Sequence, residues 1–213
     1  NQSAESCING RILNAGQSCI SAKRIIVIDT IYNQFLEILL KKLSKKKIGD
    51  PMTDVDLGPM VSPNARDDIH KQVLESVKKG AKVMMGGYIP KSTGSYYPLT
   101  LLSNVKPGMP AFDDELFGPV FSIIKADNDK DAIDLANLSD FGLGASVFTK
   151  DIRKGEDIAK NKIFSGSCFV NDYVKSDPRL PFGGVKQSGY GRELASHGML
   201  EFVNIKTIVI KSN

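Results

Sequence analysis

The 213 residues predict an α/β fold with a layered, mostly parallel sheet and flanking helices. β-branched runs of strand length alternate with stretches of helical apolar spacing along most of the chain. Gly- and Pro-containing turns punctuate them. Neither an internal repeat nor a low-complexity linker interrupts the alternation.

Residues 3–14 read as a short helix with Ala4, Cys7, Ile8 and Ile12 on one face. Residues 24–28 are a β-branched strand. Over 30–46 the apolar positions Ile31, Phe35, Ile38, Leu39 and Leu43 recur at helical spacing, and Gly49-Asp50-Pro51 closes that stretch. Ser62-Pro63 is an N-cap followed by proline at the first helical position. The helix it opens turns Ile69, Val73 and Val77 inward and stops at Gly80. Strands follow at 81–85, 97–102 and 120–125, with Ser92-Thr93-Gly94-Ser95 as a surface loop. Residues 129–138 are helical with Ala132, Leu135 and Ala136 inward. Next come a strand at 145–149, a helix at 151–162 and a strand at 167–171. A last helix begins within 191–200. Residues 205–211 alternate as a strand with no partner among the βα units. They are expected to form an arm that pairs with another sheet, in another subunit.

The composition is that of a soluble globular protein, 41% hydrophobic and 24% charged. No apolar run approaches the roughly 20 residues of a membrane helix. The N-terminus has neither a basic region nor an apolar stretch and reads as no signal peptide. Without an initiator Met, the chain is expected to start inside a longer protein or after processing. Net charge is +4, and Lys41, Lys42, Lys45, Lys46 and Lys47 crowd together. They are read as the solvated end of a helix, where cations meet the negative dipole terminus, and not as a nucleic-acid patch, because no aromatic residues interleave with them. Cys7, Cys19 and Cys168 form neither a disulfide framework nor a metal spacing, and the histidines are only His70 and His197. No metal site is expected, and a reducing cytoplasm suits these thiols.

Cys19 stands in Asn14-Ala15-Gly16-Gln17-Ser18-Cys19, five residues before Arg24. A lone free cysteine is most often a small buried hydrophobe. Here a Gly-containing turn ahead of an apolar strand presents the thiol. A Cys–His hydrolase needs a histidine beside the thiol. His70 lies on a charged helix and is expected to be exposed, and His197 is expected at a helix end. Cys7 and Cys168 lack Cys19's setting and are expected in the core. Two further segments are distinctive: Glu115-Leu116-Phe117-Gly118-Pro119-Val120, and the glycine-rich run from Pro181-Phe182-Gly183-Gly184 to Gly189-Tyr190-Gly191-Arg192-Glu193.

In this order, over nearly the whole chain from Asn14 to Lys211, these segments resemble the aldehyde dehydrogenase superfamily. The resemblance implies Cys19 as the nucleophile, with its own N–H as an oxyanion donor. It implies Glu115 on the nicotinamide ribose and Phe117 against the nicotinamide of NAD or NADP. It also implies that most cofactor contacts, the water-activating glutamate and the oxyanion-hole asparagine come from sequence ahead of the nucleophile that these residues do not contain. They would then comprise a catalytic domain (1–200) and an oligomerisation arm (201–213), inactive alone and part of a homodimer or homotetramer when intact. Residues 108–113, 169–172 and 176–184 look like those of bacterial succinate-semialdehyde dehydrogenases. For that substrate's remote carboxylate, Ser18, Ser176 and the weaker Arg179 are candidates, with Phe182 walling the channel. A non-catalytic assembly or binding module that keeps the fold is the alternative.

Overall fold

The computed structural model describes residues 1–212. Helix α1 (Gln2–Ile12) runs into a single 3-10 turn, Leu13–Gly16. Strand β1 (Arg24–Ile28) and helix α2 (Asp29–Leu43) follow. Helix α3 (Pro63–Lys78) opens as its sequence dictates: Ser62 accepts a hydrogen bond from the Ala65 N–H, and Pro63 takes the first turn. Then come β2 (Lys82–Met85), β3 (Thr100–Ser103), the single turn α4 (Pro110–Asp113), β4 (Val120–Ala126) and α5 (Asp129–Asn137).

The main sheet has the order β1-β4-β3-β2. β1 and β3 lie parallel to β4, and β2 pairs antiparallel to β3 at the edge. Strand β4 is central, and apart from Lys125 every residue of it is buried. Its side chains alternate between faces as strand geometry requires. Phe121 and Ile123 join Ile8, Ile25, Val27, Leu39 and Leu43 in one core cluster. Val120 and Ile124 join Ile69, Val73, Phe112 and Leu116 in the other. Helices α1 and α2 thus cover one face and α3 the other. Each fully buried Ile, Leu or Phe contributes about 1.5–3 kcal/mol of transfer free energy.

The remaining chain forms smaller pieces: β5 (Phe141–Gly142), β6 (Gly144–Val147), α6 (Ile152–Asn161), β7 (Ser167–Val170), β8 (Val185–Lys186) and α7 (Ala195–Leu200). β6 and β7 pair parallel, and β5 and β8 antiparallel. The glycine run around residue 183 has a packing cause. A Cβ on Gly184 would lie 2.4 Å from Ser188 Cβ and one on Gly183 2.8 Å from the Gly191 carbonyl oxygen, while the Gly183 carbonyl oxygen sits 1.6 Å from where a Cβ on Gly166 would stand.

Some of the sequence expectations need correction. Helix α2 ends at Leu43, and the following loop is closed by an Ile48–Leu57 bridge. The last helix starts only at Ala195, because Glu193 is held in a bridge to Phe182 and Leu194 takes a left-handed φ of 63°. Residues 205–211 carry no ladder among the described residues, and Ile205, Ile208, Val209 and Ile210 stand 71–88% exposed, so the expected arm has no partner strand within them. Strand backbone pairs only where it meets an edge, and among the described residues this segment meets none. His70 is partly buried, its Nδ1 3.1 Å from the Tyr97 hydroxyl. The crowded lysines lie at and beyond the end of α2, and three of them meet carboxylates: Lys42 with Glu5, Lys46 with Asp56 and Lys47 with Asp54. Among the described residues no helix is long and apolar enough to cross a membrane, and no cluster of metal-ligating side chains occurs.

Candidate active site

The turn that carries Cys19 is made by backbone that only a few residue types adopt easily. Asn14, Ala15 and Gly16 have φ of 50°, 56° and 74°. Glycine is required at position 16 for a second reason. A Cβ there would lie 2.2 Å from the Gly118 carbonyl oxygen. The Cys19 turn and the Glu115–Pro119 segment therefore meet backbone to backbone. Gln17 steadies the turn: its side-chain amide donates to Asn14 O and accepts from the Val61 N–H, at 3.1 and 2.9 Å. Beyond it, Cys19 is exposed. Its N–H donates to no protein acceptor among the described residues.

The other cysteines differ. Cys7 and Cys168 are partly buried, and burial pushes their thiols up to about 12 and about 11. Neither histidine reaches Cys19: His70 contacts Tyr97, and His197 lies exposed on α7.

Two side chains that the sequence reading overlooked join the site together. Arg11 is fully buried on α1. Its guanidinium donates to the carbonyls of Val120 at 2.7 Å, Leu116 at 2.6 Å and Gly16 at 3.5 Å. Desolvation lowers its pKa to about 9, with Glu115 acting in the opposite direction. Arg11 sets the register of the Leu116–Val120 segment against the turn. Leu116 is fixed in the core, and its neighbours Glu115 and Phe117 face outward. A signal was present, since residues 4, 8 and 11 share one helical face. An arginine there reads as surface only until its apolar neighbours are weighed.

Lys23 is the second. Its ammonium lies 2.8 Å from the Ser18 carbonyl oxygen, 2.9 Å from that of Cys19 and 2.9 Å from Glu115 Oε1. It also stands 5.5 Å from the Phe117 ring centroid. Burial lowers its pKa and the bond to Glu115 counteracts that; the nearby Cys19 is a lesser favourable contribution. Cys19, Glu115 and Phe117 are thus brought to one place through Lys23.

Arg24 has a structural part. It donates to the carbonyls of Leu135, Ala136 and Leu138 at the end of α5, and it stacks on Phe112 at 4.9 Å. A cation at a helix C-terminus meets both the free carbonyls and the dipole.

The substrate candidates are less gathered. Ser18 is in the Cys19 turn and partly buried. Ser176 is exposed and Phe182 partly buried. Arg179 is exposed and bound to Asp177, Nη2 to Oδ2 at 2.6 Å, so it braces its own loop. That pairing holds the Asp177 carboxyl down at about 2. Among the described residues no hydrogen bond or ion pair joins Ser176, Arg179 or Phe182 to the Cys19–Lys23–Glu115 group. The chain just before that loop does approach helix α1: a Cβ on Gly10 would lie 2.8 Å from Tyr173 Cβ.

The α/β core thus presents an exposed cysteine on a turn that Lys23 ties to an outward carboxylate, with an aromatic ring beside that ammonium. The chain belongs to the aldehyde dehydrogenase family, whose profile matches residues 1–208. It is 43% identical over 210 residues to a probable succinate-semialdehyde dehydrogenase [NADP(+)] of Synechocystis sp., covering 98% of this chain and 46% of that protein. It is 41% identical to an aldehyde dehydrogenase of Paenarthrobacter nicotinovorans, covering 97% of this chain and 45% of that one. Among solved structures, succinic semialdehyde dehydrogenase from Streptococcus pyogenes in complex with NADP+ superposes with a TM-score of 0.95 at 37% identity. It matches 99% of this chain and 46% of its own. The chain therefore spans less than half the length of the relatives it matches.

Proposed function

We propose that this chain supplies the nucleophile and one wall of the nicotinamide site in an NAD(P)-dependent aldehyde dehydrogenase that oxidises succinate semialdehyde to succinate. The observation that carries the reading is the convergence of Cys19, Glu115 and Phe117 around Lys23. The relatives named for succinate semialdehyde support the substrate.

The residues present fit the cofactor's ribose and ring. Glu115 keeps a partly exposed carboxylate, 42% accessible, that can accept from a vicinal diol. Phe117, 44% exposed, offers a face to a planar ring. When bound, the nicotinamide accepts a hydride.

The Cys19 thiolate attacks the aldehyde carbon, forming a carbon–sulfur bond and an oxyanion. The backbone N–H of Cys19 is the proposed donor to that oxyanion, since it belongs to the attacking residue. Loss of hydride leaves a thioester on Cys19. Water adds to its carbonyl, the carbon–sulfur bond breaks, and succinate leaves with the thiol restored. Ser18 and Ser176 are proposed to bind the remote carboxylate, with Phe182 along the aldehyde channel. Arg179 is the weakest of these candidates, because Asp177 already takes its guanidinium.

The test is succinate-semialdehyde-dependent NAD(P)H formation by the protein that carries this chain. Activity is expected to fall at least ~10³-fold in Cys19→Ser and to be negligible for the 213 residues alone. Unchanged turnover in Cys19→Ser overturns the reading. If the protein is instead a non-catalytic assembly module, Cys19 will alkylate no faster than an ordinary exposed thiol such as glutathione.

A further inference from the structure

Lys23 has a more specific part than filling space beside the nucleophile, one that rests on the reading of Glu115 as the partner of the cofactor's ribose. An ammonium has three N–H donors and no acceptor. Around Lys23 Nζ stand the oxygens of Ser18, Cys19 and Glu115, all within 2.9 Å. The side chain is only 14% exposed, so water has little access to replace any of them. Two of the acceptors belong to the main chain of the nucleophile turn. The third comes from a distant segment.

We infer that Lys23 is a positioning residue that locks the Cys19 turn to Glu115 and holds that carboxylate by one oxygen, leaving the other for the diol. The placement of the thiol and of the diol-binding carboxylate are then set by one group. A ligand that draws on Glu115 pulls on the same ammonium that holds the carbonyls of Ser18 and Cys19. Arginine cannot substitute, because its donors lie in a planar fork suited to paired in-plane oxygens and not to three converging ones.

The experiment measures the rate at which iodoacetamide alkylates Cys19 at neutral pH, read by peptide mass spectrometry with Cys7 and Cys168 as internal references. It needs neither aldehyde nor nucleotide. Lys23→Ala is expected to slow Cys19 by about 3–10-fold, and Glu115→Gln by a smaller factor. The double variant should be no slower than Lys23→Ala, because both substitutions break one lock. Added methylammonium should restore part of the Lys23→Ala rate, which a purely structural loss would not allow, and Lys23→Arg should not recover the wild-type rate. An unchanged rate in Lys23→Ala, effects that simply multiply in the double variant, or a wild-type rate in Lys23→Arg overturns the inference. Should Lys23→Ala fail to fold, Glu115→Gln, at a partly exposed carboxylate, decides the matter: an unchanged Cys19 rate overturns it. Failure of the dehydrogenase reading shows separately, as absent NAD(P)H formation by a wild-type protein in which the alkylation coupling persists.

Discussion

Gly16 shows how much a single residue decides. With a φ of 74° and the Gly118 carbonyl oxygen where a Cβ would be, it faces both backbone strain and a clash with main chain. Gly16→Ala is expected to cost about 2–3 kcal/mol in chemical denaturation and to slow Cys19 alkylation. Gly108→Ala is the control: its φ is 90°, but nothing lies within 4 Å of the added carbon. It should cost only about 1 kcal/mol, the backbone term alone. Equal losses in the two variants would mean that the approach of the turn to Gly118 carries no energy. Cys7 gives a pH prediction. Its thiol is raised from the ordinary 9.0 to about 12 by burial. Between those values the native state keeps a proton that the unfolded chain has lost, so stability falls as pH rises. The slope is up to about 1.4 kcal/mol per pH unit for this group, present in full below pH 9 and lost toward 12. Unfolding of Cys7→Ala measured from pH 8 to about 11 should show a shallower decline than wild type.

At the scale of elements, the strands and most helices followed from periodicity and apolar runs because each packs its apolar side chains against a neighbour in the same chain. Strand β1 (Arg24–Ile28) and helix α6 (Ile152–Asn161) lie where their sequences put them. The segment at 205–211 has an equally clear strand pattern and is unpaired. Alternation specifies which faces a strand would have, but pairing requires an edge to meet. We propose that this edge belongs to a second copy. Ile208→Lys with Ile210→Lys should then lower the assembly state seen by analytical ultracentrifugation while far-UV circular dichroism stays unchanged. An unaltered sedimentation coefficient counts against the arm. The delayed start of α7 at Ala195 was not legible, because the Phe182–Glu193 bridge that holds back its first turn is non-local.

For the molecule as a whole, the chain's order of motifs determined its family, its layered α/β core and the residue proposed as its nucleophile. Those depend on local chemistry: a glycine where φ is positive, a thiol after it, apolar residues at the right period. The tertiary structure alone decided how the motifs become one site. Arg11 joins the carbonyls of Gly16, Leu116 and Val120, and Lys23 joins Cys19 to Glu115. It also assigned Arg24 to the end of α5 and Arg179 to Asp177, away from the thiol. The physical reason is the same in each case. A cationic side chain is long, and its worth depends on which oxygens the fold brings within about 3 Å of its tip. Sequence specifies the donor, and only the packed chain specifies the acceptors.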